Sequence, residues 1–172
     1  RATVLLNGDQ IFPAMLDALR AARRTITFEM YIYWSGDIGA AFAEVLAERA
    51  QAGVKVHVLI DAVGAGKIDD RYVAEMESAG VEVRRYNPPR WYNLGRFNNR
   101  THRKLVVVDG AVGFTGGVGI ADQWQGNAQD PQHWRDTHFR LEGPAVAQLQ
   151  AAFMDNWTEV TGNILHGSDY FP

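Results

Sequence analysis

The amino-acid sequence predicts an α/β domain, a mixed β-sheet flanked by helices on both faces, and three observations lead there. Up to Tyr86, short apolar runs alternate with segments whose apolar residues recur at helical spacing, in the order strand, helix, strand, helix, strand, helix, strand. Parallel strands joined by helical crossovers are written this way. Beyond them, two apolar runs, 103–108 and 111–115, flank Asp109-Gly110, a dipeptide favoured in tight hairpin turns, which adds an antiparallel pair. A chain of 172 residues, 47% hydrophobic and 22% charged, also has the length and balance of one domain able to bury a core. That domain is expected over 1–161, with 162–172 an irregular tail or linker.

Taken in order, residues 3–6 form the first strand, and Asn7-Gly8-Asp9 turns it into a helix striped by Phe12, Met15, Leu16 and Leu19. Residues 25–33 alternate, with Ile26, Phe28, Met30 and Ile32 on one face and Thr27, Glu29, Tyr31 and Tyr33 on the other. The expectation is a strand with one apolar side and one polar, aromatic side. Asp37 is placed to cap the next helix, which carries Ile38, Ala41, Phe42, Val45 and Leu46 on one stripe and ends at Gly53. Residues 54–60 read as a buried strand closing on the loop 61–66, a helix runs from about Asp69 to Gly80, and 81–86 is another strand. The stretch 87–101, rich in proline, asparagine and arginine, reads as a long mobile loop leading into His102. Residues 135–142 form one more strand. Gly143-Pro144 opens a last helix that buries Val146, Leu149, Phe153, Trp157 and Val160. No internal repeat or low-complexity segment is present.

Composition excludes several classes of function. A net charge of −3 and a pI near 5.9 argue against a general polyanion binder, so any attraction for phosphate must be local. With no cysteine there is no disulfide and no thiolate metal site. No apolar run approaches the ~18 to 20 residues that span a bilayer. No signal peptide is visible, and a chain opening at Arg1 reads as a piece of something longer.

The chemistry concentrates in 101–110. His102 and Lys104, two apart on an extended segment, point to one face, which sets an imidazole beside a cation. That pair suits attack on an anionic phosphorus centre, since phosphoryl oxygens gain charge as the reaction proceeds. Lys104 reads either as the phosphate contact or as a solvated edge-strand lysine. Asp109 reads either as a chemical group or as the first residue of the hairpin turn. The loop Gly116-Gly117-Val118-Gly119 either turns tightly or presents backbone N–H groups to a phosphate. Glu29 and Tyr31 line the same pocket or belong to a solvated face.

The spacing His-x-Lys-x4-Asp, followed after six residues by a Gly-Gly pair, resembles the signature of the phospholipase D superfamily. More narrowly, residues 102–122 and 133–149 resemble bacterial cardiolipin synthases. The resemblance implies that His102 attacks a phosphodiester and carries a phosphohistidine intermediate, without cofactor or metal. It implies that Lys104, Gly117 and Gly119 meet the substrate phosphate, with Gly119 standing where the family usually carries an asparagine. It points to Asp136 as the carboxylate that fixes the His102 tautomer; the alternative is a strand-end aspartate paired with Arg135 or Arg140. His102, Lys104, Asp109 and Asp136 are thus the expected catalytic set.

The remaining histidines give no metal reading. His57 sits in an apolar strand as a core residue, and His133 and His138 flank Asp136 at a spacing that matches no helical ligand pair. Both flanking histidines are expected to point away from the face Asp136 offers His102, and His166 falls in the irregular tail. The function implied is phosphatidyl transfer or phospholipase-type exchange on glycerophospholipids. The family carries two motif copies and commonly membrane segments before them. This chain is expected to be the N-terminal half, working at a bacterial inner-membrane surface with a second motif half supplied by another domain or another copy. Tyr31, Trp91, Tyr92 and Phe97 offer a lipid-facing surface. Two alternatives stand beside it. One is a single-motif nuclease that dimerises, using Arg90, Arg96, Arg100 and Arg103 on the backbone, although the nucleic-acid signal is weak. The other is a non-catalytic half.

Overall fold

The computed structural model describes residues 1–88 and 100–172. Among these, seven strands form one sheet, and the alternation seen in the sequence supplies most of them. The elements are β1 (Ala2–Leu6), α1 (Asn7–Arg20), β2 (Thr25–Met30), α2 (Asp37–Gln51), β3 (Lys55–Asp61), α3 (Asp70–Ser78) and β4 (Glu82–Tyr86). They are followed by β5 (Lys104–Val108), β6 (Val112–Gly116), β7 (Thr137–Glu142) and α4 (Ala145–Thr161). The sheet order is β1-β7-β6-β5-β2-β3-β4. Strands β2, β3 and β4 run parallel, while β2–β5, β5–β6, β6–β7 and β7–β1 are antiparallel. The expected mixed α/β sheet is therefore the one observed.

Alternation along the strands sorts the core into two layers. Ile26, Phe28, Met30, Val56, Val58, Ile60, Val106 and Phe114 face α1, α2 and α3 in one apolar cluster. Leu59, Tyr86 and Leu105 face Phe153 and Trp157 of α4 on the other side. Helices thus cover both faces. Because α4 covers the second face, β2 has no solvated side: all six of its residues are buried. Thr27 gives its hydroxyl hydrogen to Gln150 of α4 at 3.1 Å, so the polar side of β2 is satisfied inside the protein. Tyr33 lies beyond the strand and turns into the α1–α2 layer, where its hydroxyl donates to the Gly39 carbonyl at 2.9 Å.

Two helix starts differ from expectation. Helix α1 begins directly at Asn7, whose φ of 58° makes the corner without a separate turn. Asp37 does not cap α2 but is its first residue; Gly36 occupies the cap position. The free N–H groups of Asp37 and Ile38 donate instead to the carboxylate of Asp122, at 3.1 and 2.9 Å. Asp122 opens a short 3-10 turn (Asp122–Trp124) far along the chain, so no local pattern could announce that cap. The stretch expected as a loop falls largely outside the described residues, and with it Arg90, Trp91, Tyr92, Arg96 and Phe97.

His57 is the satisfied core histidine its strand context predicts, bonded through its ring to Glu82 and to the Tyr170 hydroxyl, each at 2.9 Å. Tyr170 is buried, so the irregular tail is packed against the sheet at this residue. Asp109 proves to be a structural residue at the turn. With φ 53° it leads β5 into β6, and its carboxylate accepts from the backbone N–H groups of Arg23 at 3.0 Å, Arg24 at 2.7 Å and Thr25 at 2.9 Å. It lies seven residues along the strand from His102, on the order of 20 Å at ~3.3 Å per residue. The expected catalytic place for Asp109 is thereby replaced by a strap holding the start of β2.

Asp109→Ala leaves three backbone donors without their charged acceptor and should cost about 2 kcal/mol in chemical denaturation; an unchanged midpoint would refute the strap. His138 of β7 is fully buried, and burial pulls its pKa from 6.5 down to about 4, with Asp136 opposing and Lys104 assisting. The unfolded chain therefore takes up this proton first as pH falls. The stability present above pH 6.5 is lost progressively between 6.5 and about 4, by roughly 3 kcal/mol in all. His138→Leu should flatten that slope in denaturation midpoints measured from pH 7 to 4.5. An identical slope in the variant would show that His138 is not its source.

Candidate active site

Strands β2, β3 and β6 end where β5 and β7 begin, and this one end of the sheet gathers the expected groups. The ladder sets Met30 opposite Lys104, and Gly116 opposite His138. His102 lies just before β5 and is exposed. Its ring stacks on Tyr31, which follows β2 directly, with centroids 3.9 Å apart and planes 21° from parallel. Among the described residues nothing hydrogen-bonds to the His102 ring. Lys104 sits over the same Tyr31 ring at 5.5 Å and donates to the His102 carbonyl at 2.9 Å. Burial lowers its pKa, while the charge of Asp136 raises it.

The backbone before His102 is held from two sides. Thr101 donates its N–H to Asp61 at 3.2 Å and its hydroxyl to Glu29 at 2.5 Å. Asn156 of α4 donates to the same Glu29 oxygen at 2.6 Å and lies 3.2 Å from the Thr101 hydroxyl. Asp61 ends β3, accepts from Val63 and Gly64 at 2.9 Å each, and pairs with Arg100 at 3.5 Å. Glu29 does not line a pocket: it is fully buried beneath Thr101, and burial raises its pKa. Tyr31 is the partner of the pair that reaches the site.

Asp136, the residue before β7, is fixed on both sides. Its carboxylate accepts from the Trp124 indole at 3.0 Å and from Thr137 at 2.7 Å. Its backbone exchanges two bonds with Asn7, at 2.9 and 3.1 Å. No hydrogen bond joins it to His102. The glycine loop explains its own composition by close approach. A Cβ on Gly117 would stand 2.1 Å from an Asp136 oxygen, and one on Gly119 would stand 2.8 Å from Ile32 Cβ. The Gly117 N–H is already donated to Thr137 at 3.1 Å, and Gly119 is buried. The loop is joined to the stretch after β2 by a Tyr33–Ile120 bridge. The glycines therefore serve packing here, and the expected phosphate cradle finds no free donor at Gly117.

His138 is two residues from Asp136 and lies on the same face, contrary to the expectation that it points away; period two places 136 and 138 together. His133 pairs with Asp130 at 2.7 Å. Sequence reasoning missed Asp61, Asn156, Asn7 and Trp124. Of these only Asp61 carried a local signal, a charged residue closing a wholly apolar strand. Among the described residues no group of three histidine, cysteine or acidic side chains is arranged to hold a metal ion, and no helix is long and apolar enough to cross a membrane.

Comparison with known proteins agrees with this geometry. Residues 15–157 match the model of the family described as cardiolipin synthase, PLD-like domain. The chain is 40% identical over 99% of its length to a cardiolipin synthase of Geobacillus thermodenitrificans, covering 34% of that protein. It is 39% identical over 96% of its length to cardiolipin synthase 2 of Bacillus anthracis, covering 32% of it. It thus spans about a third of the length of the curated relatives it matches. In fold it resembles Nuc from Salmonella typhimurium, a phospholipase D family member. That likeness has a TM-score of 0.68 at 16% identity and covers 97% of this chain and 99% of Nuc. It also resembles the phosphatidylserine synthase of Haemophilus influenzae, with a TM-score of 0.68 at 14% identity over 91% of this chain and 36% of the other. A family match over most of the chain, relatives near 40% identity and a shared fold lead to one conclusion: this chain belongs to the phospholipase D-like domain family of the cardiolipin synthases.

Proposed function

We propose that the domain supplies the nucleophilic half of a site that exchanges phosphatidyl groups between glycerophospholipids at a membrane surface. The observation that carries this reading is His102 itself, an exposed imidazole with no hydrogen bond to its ring among the described residues, stacked on Tyr31 and two residues from the half-buried Lys104. A ring nitrogen of His102 attacks the phosphorus, and the bond from phosphorus to the departing alcohol oxygen breaks as the nitrogen–phosphorus bond forms. The acceptor hydroxyl then attacks the phosphohistidine, the phosphorus–nitrogen bond breaks to release the imidazole, and the hydroxyl proton passes to the group that protonated the departing oxygen in the first step. Lys104 opposes the charge that grows on the phosphoryl oxygens. Burial lowers the pKa of that ammonium, and the charge of Asp136 offsets part of the lowering. The lipid substrate class is supported by the names of the relatives at 40% and 39% identity.

The departing oxygen needs a proton, and the attacking imidazole cannot give it while bonding to phosphorus. His57, His133 and His138 are bonded elsewhere or buried, and His166 lies in the tail beyond α4. The acid is therefore assigned to a second motif half, from another domain or a second copy.

With that second half present, His102→Ala should reduce turnover on phosphatidylglycerol vesicles by more than the ~10²–10⁴ typical of losing an acid–base group. Denaturation without acid after reaction should leave label on His102. Label on another residue, with His102→Ala active, would end this mechanism. The chain alone, held monomeric as judged by light scattering, should turn over negligibly; full activity there would remove the need for a second half. Chelators should leave the rate unchanged, and a loss reversed by added metal would contradict metal-free attack. Faster cleavage of single-stranded DNA than of lipid would transfer the chemistry to nucleic acid.

A further inference from the structure

We propose that Glu29, Thr101 and Asn156 form a buried mount that fixes His102 against Tyr31, which makes Glu29 and Thr101 positioning residues of the reaction. The inference rests on His102 as the nucleophile, but its geometry stands apart from that reading. Thr101 is the residue before His102, and three different elements hold it: β2 through Glu29, the end of β3 through Asp61, and α4 through Asn156. One Glu29 oxygen accepts from both Thr101 and Asn156, while the other is buried among the described residues with no hydrogen-bond partner. Among the described residues no ion pair compensates Glu29, and the charges acting on it are Arg103, which favours its ionised form, and Asp155, which opposes it. A fully buried carboxyl in such surroundings favours its neutral form.

A neutral Glu29 suits the position. A charged one would be drawn toward solvent or toward Arg103, and either movement would pull on Thr101. Tyr31 belongs to the same unit, being two residues beyond Glu29 on the segment that continues β2. The nucleophile and the ring it stacks on are thus both referred to β2, Tyr31 through the chain and His102 through the Thr101–Glu29 hydrogen bond. Loss of that link frees the peptide to rotate while leaving His102, Lys104 and Asp136 chemically intact. Displacement of a reacting group by about 1 Å is enough to cost ~10²-fold in rate.

The test reads the stack before it reads the reaction. In the free chain, proton resonances of the His102 ring should be displaced upfield by the Tyr31 ring, and Tyr31→Leu should remove the displacement. Thr101→Val should lose it as well, whereas Thr101→Ser and Glu29→Gln should keep it, since both retain the mount without a charge. Asn156→Ala provides the same reading from α4 should Thr101→Val fail to fold. With the second half added, Thr101→Val should lower kcat by about 10²-fold with KM within about twofold, and Thr101→Ser should restore most of it. An undisturbed stack in folded Thr101→Val and Asn156→Ala would overturn the mount, as would loss of the stack in Glu29→Gln. If the stack responds as stated but His102→Ala retains full turnover, the mount stands and the assignment of the nucleophile falls.

Discussion

The ladder between β2 and β5 is the interaction on which the remaining structure depends. On one side of it the chain is parallel, strand to strand through helices; on the other it is antiparallel, from β5 out to β1. Because β5 runs against β2, the beginning of β5 meets the end of β2, and Lys104 comes to lie opposite Met30. Were this pair parallel, His102 would emerge beside the start of β2, away from Tyr31 and Asp61. The reversal therefore converts two distant stretches of sequence into one chemical neighbourhood. It also follows the general habit of sheets with parallel strands, which gather ligand-facing groups where those strands finish.

Around that neighbourhood the protein uses absence of side chains as much as their presence. Gly116 and Gly117 let His138 and the Asp136 carboxylate close on β6. Gly64 does the same for Tyr31, whose ring would lie 2.7 Å from a Cβ there. The carboxylates at this end then divide by environment. Asp61 is consumed by backbone donors and Arg100, Glu29 is buried with neutral partners, and Asp136 stays in the field of Lys104. Three acidic side chains of similar chemistry thus do different work because of what surrounds them.

Much of the fold was legible because it is periodic. The stripes of α1 and α4, the alternation of β2 and the Asp-Gly turn are all local, and each sets an element with bounds near those observed. At the candidate site, the nearness of His102 to Lys104 was legible because both lie on one short extended segment, whereas Asp136 was indicated only by resemblance to a family. What was not legible depends on contact at long range. Asp122 capping α2, Asn156 reaching Glu29 and Asn7 bonding Asp136 have no trace in the residues beside them. The polar face of β2 was misjudged for a related reason: alternation tells that Thr27 and Glu29 share a side, but not that α4 lies over it. The arithmetic of His138 is the opposite case, a period-two relation present in the sequence and corrected by the structure.

The pairing of β1 with β7 carries a consequence for how the molecule is assembled. Asn7 and Asp136 are bonded across a separation of 129 residues, and among the described residues β1 has no other strand neighbour. Closing so long a loop is entropically costly until nearby contacts have already drawn the ends together. Contacts of this kind are the ones that slow folding. During synthesis the first strand stays without its β7 partner while the segments of the parallel core and the hairpin, which precede β7, are made. The carboxylate at the site is thus set in place by a late step. A pause or mutation that delays β7 would yield a chain whose sheet is mostly built and in which His102 is present, but in which Asp136 is not yet in the field of Lys104.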